Sequence, residues 1–135
     1  MDKIYTRSAT KLVKAVIEKE ISVVELVKAY IDQIEKVNPK INAVVLFKPE
    51  EALAEARKKD NQLNQGEKVG PLHGIPFTLK DVFMTKGDIV TAGCLGLTHN
   101  VSSEDGTIVK RLREAGAILL GKTNTPELEN AADTD

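Results

Sequence analysis

Residues 74–81 read Gly-Ile-Pro-Phe-Thr-Leu-Lys-Asp, an apolar run with a lysine and an aspartate directly behind it. Ile75, Phe77 and Leu79 alternate with less bulky neighbours, the pattern of a strand. Pro76 is tolerated because it sits at the strand's start. Lys80 then falls at the strand's end, where it is either a solvated terminus or a working group.

The following residues decide what kind of sheet this strand joins. A long segment, from Asp81 to about Glu104, carries Gly87, Gly93 and Gly96. Such loops are usually functional or disordered. Ser102 or Ser103 is expected to cap a helix bearing Ile108, Val109 and Leu112 and ending at Gly116. Ala117 to Leu120 reads as a short buried strand. Strand, crossover with helix, strand makes a βαβ unit, so the sheet is at least partly parallel.

Working back toward the N-terminus, Ser8 caps a helix with Leu12, Val13, Val16 and Ile17 on its apolar stripe. Ser22-Val23-Val24-Glu25 is a capping box. Val27, Tyr30, Ile31, Ile34 and Val37 recur at helical spacing, and Asn38-Pro39 is expected to stop the run. These two helices form an αα-hairpin over 6–38. Residues 41–47 read as a strand. Pro49 opens a mostly polar helix to about Asn64, with Ala52, Leu53, Ala56 and Leu63 to bury, and this helix is expected at the surface. The fold class is α/β: a mixed, partly parallel sheet packed with helices over 41–135, preceded by the hairpin.

Bulk composition narrows the function. The 135 residues are 41% hydrophobic and 29% charged, with 19 basic and 20 acidic side chains and a net charge of −1. No basic stripe and few aromatics argue against nucleic acid as a partner. No stretch approaches the ~20 apolar residues of a membrane span. The single Cys94 fits a reducing compartment, and the cytoplasm is the expected location. His73, His99 and Cys94 match no metal-ligand spacing. No metal or cofactor is expected.

Gly116-Ala117-Ile118-Leu119-Leu120-Gly121-Lys122-Thr123 matches the letters of a P-loop. Its four middle residues, however, read as the strand itself, and its first glycine as a helix C-cap. It is therefore not read as a phosphate cradle. Lys80 and Lys122 both follow apolar strands at the carboxyl edge of the sheet, an arrangement expected to aim both into one crevice. Desolvation there can bring a lysine from ~10.4 toward the ~7–8 of a general base. Asp81 would oppose that shift if it were close, so it is expected to face elsewhere. By residue type and spacing alone, Lys80 remains open between solvated strand end and base.

Gly70-Pro71-Leu72-His73-Gly74-Ile75-Pro76-Phe77-Thr78-Leu79-Lys80-Asp81 closely resembles the lysine segment of the amidase signature family. So do Thr91-Ala92-Gly93, the stretch from Glu104 to Ala117, and Gly121-Lys122-Thr123-Asn124-Thr125-Pro126-Glu127-Leu128, in order along nearly the whole chain. The resemblance implies amide hydrolysis by a Ser–cis-Ser–Lys triad, with Lys80 as its base and Thr123 and Asn124 in supporting positions. It also implies a small amide as substrate. The wording at 125–128 is more similar to stand-alone amidases than to the amidotransferase subunit that acts on misacylated transfer RNA.

The chain departs from the family pattern in one respect. The family's two catalytic serines lie beyond these blocks, and Ser8, Ser22, Ser102 and Ser103 all read as helix-start residues. Residues 1–135 are thus expected to form an incomplete amidase-signature domain, inactive alone, with exposed sheet edges. A different class of function, a non-catalytic module that self-associates or complements another chain, uses those same edges. A Schiff base at Lys80 is possible chemistry, but no phosphate cradle supports a pyridoxal cofactor.

Overall fold

The computed structural model describes residues 3–130. Its regular elements, in chain order, are α1 (Ala9–Ile17), α2 (Val23–Ile41), β1 (Val44–Phe47), α3 (Pro49–Asn64), β2 (Pro76–Lys80), α4 (Thr107–Glu114) and β3 (Ile118–Thr123). The sheet is mixed, in the order β1-β3-β2. β2 runs parallel to β3, and β1 runs antiparallel to it.

β3 is the centre of the molecule. Residues 118–122 are all buried, as expected for a strand covered on both faces. On one face, Leu12 and Val16 of α1, Val23, Leu26, Val27 and Ile31 of α2, and Ala52 and Ala56 of α3 close over Ile75, Ile118 and Leu120. On the other, Val109 of α4 packs with Leu79 and Leu119. The helical hairpin and the sheet therefore share one continuous core.

Local chemistry explains most boundaries. Ser22 and Glu25 form the capping box: the Glu25 backbone N–H donates to Ser22 Oγ at 3.1 Å, and the Ser22 N–H donates to Glu25 Oε2 at 2.8 Å. A second carboxylate joins from α3, where Asp60 accepts from the N–H groups of Val23 and Val24 at 2.7 and 3.1 Å. These are orphan donors of the first helical turn, so one side chain both caps α2 and ties it to α3.

Pro39 does not stop α2, which continues to Ile41 and ends at Asn42 in the left-handed conformation (φ 46°). Proline removes one N–H from the ladder only near the helix end. Asn38 separately bridges to β1: its amide donates to Val44 O at 2.9 Å and its Oδ1 accepts the Val44 N–H at 2.8 Å. Consequently β1 begins at Val44 rather than at residue 41.

The segment after β2 is ordered by short pairings. Val90 donates to Asn100 O at 2.9 Å, Gly87 to Ser102 O at 2.8 Å, and Ser102 to Asp88 O at 3.0 Å. Ser102 is consequently not a helix cap: its hydroxyl donates to Glu104 O at 2.7 Å, and α4 starts at Thr107 with Gly106 at the N-cap. Gly116 follows α4 in the positive-φ region at 98°, and a Cβ there would lie 2.8 Å from His73 Cα.

Candidate active site

Lys80 is the last residue of β2 and lies opposite Thr123, the last residue of β3. The two parallel strands thus end together, the place where open α/β sheets put ligands. Thr123 grips the backbone on both sides of Lys80. Its hydroxyl donates to Leu79 O at 3.3 Å, and its carbonyl accepts from the Asp81 N–H at 3.0 Å. Asn124 fastens the next step: its N–H donates to Ala43 O at 2.8 Å, and its side-chain oxygen accepts the Thr125 N–H at 3.0 Å. The structure therefore brings Lys80 and Thr123 together directly, with Asn124 holding the strand end.

The Lys80 side chain is half-buried, with its ammonium 2.7 Å from Glu129 Oε1. Glu129 reaches it from a tight turn in which Leu128 and Glu129 have φ of 50° and 58°. That turn is tied to the loop after β2 by the Leu128 N–H, which donates to Ala92 O at 2.8 Å.

Lys122 does not share this crevice. In a strand, neighbours alternate between faces, and Lys122 pairs in register with Leu79, one residue out of step with Lys80. Its side chain is 0% exposed, with Nζ 2.9 Å from Asp81 Oδ1 and 3.1 Å from Ile89 O. Asp81 faces this cation and not Lys80. The second Asp81 oxygen accepts the N–H of Thr91 at 3.1 Å and also the Thr91 hydroxyl.

The remaining candidates lie apart. His73 is buried, and its Nε2 lies 3.0 Å from Lys59 O. Burial chiefly pushes its imidazole below the ordinary histidine value. His99 is exposed and Cys94 half-buried. Among the described residues, no group of three His, Cys, Asp or Glu side chains is placed to hold a metal, and no helix is long and apolar enough to cross a membrane. Residues 118–123 of the P-loop-like string are strand β3.

Two features escaped the sequence reading: the Glu129 contact with Lys80 and the Asp81–Lys122–Thr91 cluster. A lysine inside an otherwise buried strand signals a paired charge. Its partner lies 41 positions away, beyond the reach of any local pattern.

A family model described as Amidase matches residues 25–135. An acylamidase of Rhodococcus erythropolis is 41% identical over 128 residues, covering 95% of this chain and 27% of that protein. A glutamyl-tRNA(Gln) amidotransferase subunit of Heliobacterium modesticaldum is 38% identical, with the match covering 98% of this chain and 27% of that protein. Among solved structures, a bacterial aryl acylamidase of the amidase signature enzymes superposes with a TM-score of 0.85 at 33% identity, over 90% of this chain and 26% of the other. Fatty acid amide hydrolase superposes at 0.87 and 29% identity, over 93% of this chain and 23% of the other. The chain spans about 27% of the length of the curated relatives it matches. With its mixed sheet, its ordered motifs and these likenesses in agreement, the chain belongs to the amidase signature family.

Proposed function

We propose that this chain supplies the lysine base of an amide hydrolase of the Ser–cis-Ser–Lys type, with Lys80 as that base. Both serines would come from sequence other than these 135 residues. The observation that carries the reading is the placement of Lys80: it ends β2 at the carboxyl edge of the parallel pair and is gripped on both flanks by Thr123. Thr123 and Asn124 are its supporting residues, fixing the strand end without taking a chemical step.

Within this chain three of the four serines have other work. Ser8 and Ser22 cap α1 and α2, and the Ser102 hydroxyl donates to Glu104 O. A serine hydroxyl is a weak nucleophile until a neighbouring base takes its proton. In the proposed relay, uncharged Lys80 takes a proton from the bridging serine, which takes one from the nucleophilic serine as that oxygen attacks the amide carbonyl. The proton returns to the departing amine, and water then hydrolyses the acyl ester. Exclusion of water favours the uncharged amine, whereas the Glu129 carboxylate at 2.7 Å favours the ammonium. Closure of the half-exposed Lys80 site by further sequence and withdrawal of Glu129 therefore both belong to this proposal. Small amides are the proposed substrates, in keeping with the names of the acylamidase relatives.

The test splices residues 1–135 in place of the matching segment of the Rhodococcus acylamidase and follows hydrolysis of an aryl amide. The splice should be active, and Lys80→Ala should lower its rate by about 10²- to 10⁴-fold, the range of general-base catalysis, with unchanged circular dichroism. Retained activity in Lys80→Ala removes the assignment. The 135-residue chain alone should not turn over.

One feature favours a second reading, a non-catalytic module that binds itself or a complementary chain. β2 is an edge strand, and beside it Tyr30, Ile34, Val37 and Ile41 of α2 form an apolar groove with Phe77. Unpaired edges recruit other strands. A chain that sediments as a monomer at all concentrations, alone and mixed with the remainder of a relative, rejects this reading.

A further inference from the structure

We propose that the buried Lys122–Asp81 ion pair is the positioning element of the Lys80 site, acting through Thr91 to fix the 91–93 turn, which holds the 128–129 turn carrying Glu129, the partner of Lys80. Its chemical meaning rests on the reading of Lys80 as a base; its geometry does not.

Burying a lysine and an aspartate is seldom the most stable use of core space, because apolar side chains of similar volume often do as well or better. The pair's contacts show what else it does. Lys122 Nζ donates to Asp81 Oδ1 and to Ile89 O. Asp81 Oδ2 accepts both the N–H and the hydroxyl of Thr91, and the Asp81 carbonyl accepts the Ala92 N–H at 2.8 Å. The Thr91 hydroxyl in turn accepts the Gly93 N–H at 3.1 Å. One aspartate, oriented by one lysine, therefore gathers the donors of two consecutive residues.

The turn so fixed meets the segment that follows β3. Ala92, at φ 48°, offers its carbonyl to the Leu128 N–H. Gly93 lies so close to the next segment that a Cβ would come within 2.6 Å of Thr125 O. The residue after Leu128 is Glu129, the partner of Lys80. Contacts thus run from Lys122 on one face, through Asp81, the 91–93 turn and Leu128, to the ammonium on the other. Asp81 is also the next residue after Lys80, so the site is anchored from both ends.

The test uses this chain and reads the acylation rate of Lys80 by an amine-reactive ester, by peptide mass spectrometry, against exposed Lys28 on α2. Amide hydrogen exchange at Ala92 and Leu128 is measured alongside. Lys122→Met with Asp81→Asn removes both charges; Thr91→Val removes only the hydroxyl; Thr91→Ser restores it. The first two should raise Lys80 acylation about two- to fivefold, the factor that matches loss of an exposed ion pair, and should speed exchange at both amides. Thr91→Ser should behave as wild type.

Unchanged Lys80 acylation in Thr91→Val, and in the double variant even as its melting falls, overturns the proposal and leaves the pair a purely structural one. If the double variant fails to fold, Thr91→Val and Thr91→Ser decide the matter alone. Faster acylation together with an active Lys80→Ala splice would keep the positioning network and remove the base.

Discussion

The Lys80 ammonium and the Glu129 carboxylate meet at 2.7 Å while their side chains remain 43% and 48% exposed. Water and salt screen such a pair, so its contribution to folding is small. Glu129→Gln should change stability by less than about 0.5 kcal/mol in urea unfolding, and even that difference should vanish in concentrated salt. The same substitution should make Lys80 more reactive toward acylating reagents. A large loss of stability would mean that the 127–129 turn is a structural clamp and that Glu129 is not merely a partner for the lysine.

The buried pair should behave in the opposite way. Lys122→Ala leaves the Asp81 carboxylate, 4% exposed, without its cation, a change that typically costs about 3–5 kcal/mol. Lys122→Met combined with Asp81→Asn should recover a substantial part of this, because no charge is then stranded. Urea unfolding of Lys122→Met, Asp81→Asn and the double variant measures the coupling directly. A double variant as unstable as Lys122→Ala would show that lost packing around position 122, and not the stranded charge, sets the cost.

How far the sequence disclosed this structure follows from the range of each interaction. The capping box at Ser22 and Glu25 and the apolar run of β3 are complete within a few residues and stand where their patterns place them. Gly116 lies one residue past the C-cap of α4, Ala115, in the positive-φ region that ends the helix. Parallel pairing of β2 with β3 followed from the length of the crossover between them. What remained hidden depends on residues far apart in the chain. Asp60 caps α2 from another helix, Asn38 ties the end of α2 to β1, and Asp81 turns to a lysine on the neighbouring strand. The expectation of one crevice for Lys80 and Lys122 failed on parity: both stand near strand ends, but a one-residue difference in register sends them to opposite faces.

His73 supplies a pH dependence. Burial opposes its protonation in the fold and, as the largest cause, holds its value below the ordinary 6.5. The unfolded chain takes up a proton near 6.5 that the folded chain resists, so stability is full above that pH and falls as pH drops toward the folded value. His73→Gln keeps a donor for Lys59 O and removes the titration. Urea midpoints at pH 7.5 and 5.5 should therefore separate for the wild type and converge for the variant. Equal slopes in both would mean that the imidazole accepts its proton in place without penalty.

Gly121 tests the strand reading of the P-loop-like string. It lies in the middle of β3, where a Cβ would come within 2.1 Å of Leu46 O and 3.2 Å of Phe47 Cα on β1. No side chain can be accommodated unless β1 moves, and β1 is held by Lys48, whose N–H donates to Leu120 O at 2.9 Å. Gly121→Ala should cost about 1–3 kcal/mol or more, the usual penalty of overpacking. Amide exchange should accelerate first at Lys48, while the β2 pairing on the other side of β3 remains protected. A phosphate-cradling glycine would behave differently, because its substitution would weaken nucleotide binding and leave the sheet intact. Magnesium ATP should accordingly leave the wild-type melting temperature unmoved; a concentration-dependent rise, abolished by Gly121→Ala in a sheet that keeps its protection, would overturn the strand assignment of this glycine.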